Sequence, residues 1–204
     1  MSLTSFFYNE CGSKSGLAKF TRLALMLAML PSLLMTTGHA SELLDYPNVQ
    51  VTYYTVSGKT TSAIRSSINH FRPVDPDDGK RYDGLTLWRI EWQWNGAANG
   101  GCDLANATVR AIITVSLPKL DDKVPAQKAA LNKWNAYITA LKGHEANHAR
   151  FALNGVAQVK RAIAKSSCDT ANAAAKLILE DIRSESADYD RKTDHGAKEG
   201  AVFP

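Results

Sequence analysis

The sequence predicts an α+β fold: a small antiparallel sheet, then a long helix and a second, C-terminal helix. Two observations carry this expectation. Apolar and polar residues alternate in short runs up to Pro118, whereas from Pro125 to about Ser166 the chain is rich in Ala, Leu, Lys and Gln without a further proline. A third observation marks the long helix as more than scaffold, because it carries His144-Glu145-Ala146-Asn147-His148.

The opening segment is set aside first. A polar start with Lys14, Lys19 and Arg22 leads into the apolar run Leu23 to Met35 and then to Gly38-His39-Ala40. Basic, apolar and small-residue segments in that order are the pattern of a secretory signal peptide, with cleavage expected after Ala40. The apolar run holds Pro31 and falls short of the roughly 20 residues that span a bilayer. Residues 41–204 are then read as one domain of 204 − 40 = 164 residues, long enough to build a core of its own.

Val49, Val51 and Tyr53 alternate with Gln50 and Thr52, a strand that Gly58 ends. Ile64, Ile68 and Phe71 share one face of a short helix stopped by Pro73. After a Pro/Asp/Gly loop to Gly84, strict alternation from Trp88 to Trp94 puts Trp88, Ile90, Trp92 and Trp94 on one side of a strand. A Gly/Asn/Ala turn from Asn95 to Gly101 joins it to an alternating strand of Val109, Ala111, Ile113, Val115 and Leu117, pairing as an antiparallel hairpin. Pro125 suits a first helical position, and Gly143 is a candidate kink in the helix that follows. Asp169 is a candidate cap for the second helix, running through Ile178 and Ile182 toward Tyr189, with an irregular polar tail from Asp190.

Charge and cysteines bound the function classes. Without its first forty residues the chain is nearly balanced in charge, and it has no Lys/Arg cluster or basic aromatic platform for nucleic acid. Cys11 falls in the leader, leaving Cys102 and Cys168. A bridge between them is the simplest reading in a compartment where disulfides persist, two buried thiols being the alternative.

On the long helix, Trp134, Ile138 and Leu141 form an inward stripe, and its continuation lands on Glu145 and His148. His144 lies one turn before His148, so both imidazoles project from one face. Two histidines so spaced can hold Zn²⁺ through nitrogen, and the intervening Glu145 can take a proton from water as general base. A catalytic zinc site takes three protein ligands and keeps one position open, whereas a structural site takes four.

For the third ligand the reading favours His195, within Tyr189-Asp190-Arg191-Lys192-Thr193-Asp194-His195-Gly196. Gly196 permits close backbone approach, Asp190 or Asp194 can receive the second N–H of His195, and Tyr189 can donate to a developing oxyanion. Asp190 itself, Glu180 and Glu185 stay open as alternative ligands, whereas His70, beside Phe71, fits a hydrogen-bonded structural role. The longer metzincin pattern fails, because Phe151 and Asn154 stand where it needs Gly and His.

The chain resembles a bacterial family catalogued as a domain of unknown function and described as predicted secreted zinc-dependent proteases. The resemblance rests on Tyr54 to Thr60, the strand Leu87 to Trp94, Gly101-Cys102 and Leu117-Pro118. It continues with Trp134 ahead of the His144 to His148 motif, then Cys168 and Tyr189 to Gly196. It implies a zincin-like fold with His144 and His148 as ligands, Glu145 as catalytic residue and the tail as the source of further site residues.

The expected function is thus a secreted or periplasmic zinc-dependent hydrolase, most simply a peptidase. His144, His148 and His195 would hold Zn²⁺, Glu145 would activate water, and Tyr189 would steady the intermediate. Its partner would be a protein or peptide substrate, with no nucleic acid, no membrane in the mature form and a monomeric state. Two rivals remain: an envelope metal-binding or interaction protein without turnover, and a glycan-binding module built on an exposed Trp face.

Overall fold

The computed structural model describes residues 44–98 and 100–204. The signal-peptide reading of residues 1–40 lies outside them. The elements run β1 (Val49–Val56), α1 (Thr61–Phe71), β2 (Leu85–Gln93), β3 (Thr108–Leu120), α2 (Lys128–Ala164) and α3 (Ala171–Thr193). Short 3-10 turns cover Leu104–Asn106 and Ala197–Glu199. The class is α+β, as the alternation and the helical second half predict.

The sheet is mixed rather than antiparallel, with strand order β1-β3-β2. β2 and β3 form the expected antiparallel hairpin, Trp88 opposite Ile113 and Trp92 opposite Val109. β1 instead pairs parallel to β3, Val49 opposite Ile113 and Tyr53 opposite Leu117. The reason is connectivity: α1 and the loop after it carry the chain over, so β1 and β3 need not be joined by a turn and can run the same way. β3 continues past Pro118 to Leu120, a place where β2 has ended its pairing at Ser116, so the missing proline N–H costs no ladder bond on that side.

The three tryptophans of β2 point inward, with Trp88, Trp92 and Trp94 only 2%, 3% and 6% exposed. They pack with Ile90, Ile113, Val115 and Leu117 under α2, and the indole N–H of Trp92 donates to Asn172 Oδ1 at 2.8 Å. This burial removes the exposed platform that glycan binding would need.

Six local expectations are corrected. Phe71 is 54% exposed and meets His70 edge-on instead of joining Ile64 and Ile68; Tyr53 likewise faces out, on a strand with a sheet neighbour on one side only. α2 starts at Lys128, behind Gln127, so Pro125 lies before the helix, and it runs unbroken through Gly143. The residue before α3 is Thr170, and its hydroxyl serves the Ser167 turn instead of capping the helix. Finally, α3 does not give way to an irregular tail at Asp190: the buried stripe Ala175, Leu179, Ile182, Ser186, Asp190 carries it to Thr193.

α2 lies across the sheet and α3 folds back on it through a short turn. Cys102, in the loop before β3, is bonded to Cys168 in that turn, tying the sheet to the helical hairpin. The core therefore fixes three things together: the inner face of α2, the facing stripe of α3 and the start of β2. The motif residues lie at this junction.

Candidate metal centre

His144, Glu145 and His148 are all buried on α2, on the face that begins with Trp134, Tyr137 and Leu141. Across from them α3 supplies Asp190. Three atoms converge: His144 Nε2 is 3.2 Å from His148 Nε2 and 3.2 Å from Asp190 Oδ1, and His148 Nε2 is 3.1 Å from the same oxygen. These donors form a nearly equilateral triangle. A tetrahedral zinc with bonds of about 2.0–2.1 Å separates its ligands by about 3.3 Å, so the triangle matches one face of that polyhedron.

The outer nitrogens explain the orientation of the inner ones. His144 Nδ1 stands 2.9 Å from Glu199 Oε2, and a carboxylate only accepts, so Nδ1 carries the proton and Nε2 presents a lone pair. His148 Nδ1 lies 2.6 Å from the Ser186 hydroxyl, and with the same tautomer its Nε2 also faces inward unprotonated. Two nitrogen lone pairs and a carboxylate oxygen at this spacing repel one another unless a cation or extra proton lies among them. Asp190 Oδ2 is also buried without a hydrogen-bond partner, an orphan that a cation would relieve. The donor set fits a divalent metal of the kind imidazole and carboxylate bind.

The charges respond accordingly. Burial opposes ionisation of Asp190, yet when protons rather than a cation lie among the three donors, hydrogen bonds from the imidazoles hold its carboxyl well below the usual range. Burial likewise disfavours the charged form of His144, but the bond to Asp190, the charge of Glu145 and the bond to Glu199 together push it up. Glu145 is pushed up chiefly by burial. Its Oε2 accepts from Thr86 Oγ1 at 2.7 Å. Its other side rests on the backbone of Gly84, where a Cβ would lie 2.9 Å from both Cδ and Cγ of Glu145. Gly84, just before β2, and Thr86, within it, thus hold the carboxylate in place.

His195 is not one of the converging donors. α3 ends in three consecutive left-handed residues, Asp194 (φ 53°), His195 (φ 50°) and Gly196 (φ 80°), and this turn throws the His195 side chain to the rim. There it is 51% exposed, with Nδ1 3.9 Å from Asp190 Oδ1 and its ring beside Tyr82. Asp190, one turn earlier on the buried stripe, occupies the third corner. Glu180 and Glu185 face outward, Glu180 pairing with Arg183, and His70 lies on α1 against Phe71.

Gly196 does permit the close approach expected of it, since a Cβ there would lie 2.8 Å from Ala201 Cβ and 3.0 Å from His144 Cγ. The chain then turns through Ala197–Glu199 and delivers Glu199 to His144, while Phe203 anchors the end against Trp134 and Tyr137. Tyr189 stacks its ring on His144 at 5.0 Å, accepts from Asn147 Nδ2 at 2.6 Å and donates to Glu199 at 2.9 Å. Burial raises its pKa.

Glu199, Ser186, Thr86 and Gly84 were not singled out in the sequence. Ser186 and Asp190 had a readable signal, the same stripe-into-polar pattern that marked α2. Glu199 had none, because its approach depends on the left-handed turn.

Among the described residues no helix is long and apolar enough to cross a membrane. No curated protein and no solved structure matches the chain. Residues 51–196, which include β2, the whole of α2 and the end of α3, match the family described as Bacterial protein of unknown function (DUF922). With this match spanning most of its length, the chain belongs to that bacterial family.

Proposed function

We propose that the protein is a zinc-dependent hydrolase, a peptidase of zincin-like design, working outside the cytoplasm. The carrying observation is the triangle of His144 Nε2, His148 Nε2 and Asp190 Oδ1 beside a buried glutamate. In this reading His144, His148 and Asp190 would hold the ion, beside the cleft that Gly84, Glu145, Asp194 and His195 line with His144 and Asp190. Zinc bound there supplies Lewis acidity, acidifying water and polarising a carbonyl.

The chain's own residues do the rest. Glu145, its pKa raised by burial, takes a proton from the attacking water and returns it to the leaving amine. Thr86 and Gly84 keep that carboxylate from rotating away. Glu199 fixes the tautomer of His144, and Ser186 holds the orientation of the His148 ring. Tyr189 is in this reading a positioning residue, its hydroxyl engaged by Glu199 and Asn147 and its ring laid on His144. His195, at the rim, faces the substrate side rather than the ion.

The rival without turnover would need a closed site, whereas three donors converge among the described residues. The Cys102–Cys168 bridge supports an oxidising compartment. The test is Glu145→Gln: zinc content unchanged, with hydrolysis of casein or a quenched fluorogenic peptide mixture lost. Equal hydrolysis by the variant would refute the mechanism.

A further inference from the structure

The cleft that reaches His144, Glu145 and Asp190 is lined on its other side by Arg65, Arg72 and Arg81, which the chemistry above leaves unused. Their charge is only partly offset. Asp83 takes Arg65 through both prongs, Nη1 and Nη2 each at 2.7 Å. Arg72 is left 3.5 Å from the same carboxylate. Arg81 gives Nη1 to the backbone carbonyl of Arg72 at 2.8 Å, and among the described residues no carboxylate pairs with it. The Nε groups of Arg65 and Arg72 are buried without a hydrogen-bond partner.

Bringing guanidinium groups together with donors unspent is unfavourable unless an anion joins them. The planar fork of arginine suits a carboxylate, which can take two parallel N–H bonds. Beyond the paired Asp83 and the site's own Glu145 and Asp190, Asp194 is the one further acid among the cleft residues, so Arg72 and Arg81 outweigh it. The group is also held in place: Asp83 accepts from Tyr137 at 3.1 Å and its carbonyl from Tyr54 at 2.6 Å. Asp83 directly precedes Gly84, so two consecutive residues hold the arginines on one side and the Glu145 carboxylate on the other.

We propose that Arg72 and Arg81, with Arg65 behind them, form a subsite for a carboxylate of the substrate, so that the enzyme acts on peptide bonds close to a negative charge. The inference rests on the hydrolase reading for the word substrate, and on the arginine geometry alone for the anion. The carboxylate comes either from a free C-terminus or from an acidic side chain.

Binding to zinc-loaded Glu145→Gln protein, measured by calorimetry, tests it without turnover. The probes are acetylated tetra-alanine with a free C-terminus, the same peptide amidated, and amidated versions with one central Glu or Gln. The free acid, the Glu peptide or both should bind about ten-fold more tightly than the neutral counterpart, and which of them does so identifies the source. Arg81→Gln and Arg72→Gln, each checked for unchanged zinc content, should cut that preference to less than about three-fold. Equal affinity for charged and neutral probes, no binding by any of them, or a preference that survives both substitutions would overturn the proposal. Hydrolysis of neutral peptides without charge preference would leave the hydrolase standing and the subsite refuted. A carboxylate preference in a wild-type protein that cleaves nothing would do the reverse.

Discussion

Gly84 packs its backbone directly onto the carboxylate of Glu145, so closely that any side chain there would overlap Oε1 and press on Cδ and Cγ. Glycine at this point lets the start of β2 touch the residue read as the general base, while Thr86, two positions on, holds Oε2. Gly84→Ala is therefore expected to turn the carboxylate aside. Zinc content should be retained and hydrolysis should fall by about 10²-fold, the scale set by a misplacement of about 1 Å. Metal analysis and peptide turnover on the same preparation check this; wild-type turnover would show that Glu145 does not need this contact.

The outer partners of the imidazoles give a second prediction. Glu199 and Ser186 fix which nitrogen of His144 and His148 faces the site, so Glu199→Ala and Ser186→Ala should each weaken zinc binding by about 10–100-fold. Competition with a chromogenic chelator measures it. Unchanged affinity in both would mean the rings are oriented by packing alone.

This pair also shows how far the sequence could be read. The spacing of His144 and His148, continuing the apolar stripe of α2, was enough to place both rings and Glu145 on one buried face. The same logic on α3 leads from Leu179 and Ile182 to Ser186 and Asp190, but the charge-rich sequence around them reads as a solvated surface. His195 reads as the better ligand because it stands beside Gly196 in the segment Tyr189 to Gly196, where Asp190 or Asp194 can orient its ring. What moved it away was a run of left-handed residues, a conformation two non-glycine residues do not announce. Glu199 and Gly84 reach the site only through the folded-back tail and the position of β2 against α2, both long-range. The parallel pairing of β1 was hidden for the same reason: alternation reports which face is buried and not which neighbour the strand takes.

Without metal, Asp190 and His144 titrate as a pair, and the signs can be worked out. A carboxylate depressed in the folded state contributes stability above its unfolded pKa of about 3.9 and loses it as pH falls through the folded value. An imidazole raised in the folded state contributes below its unfolded pKa of about 6.5 and loses it as pH rises through the folded value. With Asp190 lowered and His144 raised, urea denaturation of the metal-free protein should show the pair at full strength between about pH 4 and 6.5, weakening toward alkaline pH. Asp190→Asn should flatten this profile; an identical profile in the variant would contradict the pairing.

The Cys102–Cys168 bridge joins residues 66 apart. By the chain-entropy estimate for such a loop, Cys102→Ser with Cys168→Ser should lower unfolding stability by about 4 kcal/mol. Denaturant titration of the zinc-loaded protein reads it, and a loss near zero would mean that the helical hairpin holds the loop without help.

The central claim is tested most directly by counting zinc bound per chain in wild-type, Asp190→Ala and His195→Ala protein, each dialysed against excess zinc and shown to be folded. The account predicts one ion per chain in the wild type, one in His195→Ala, and little or none in Asp190→Ala. A folded wild type that stays ion-free, or full occupancy in Asp190→Ala with loss in His195→Ala, would contradict it.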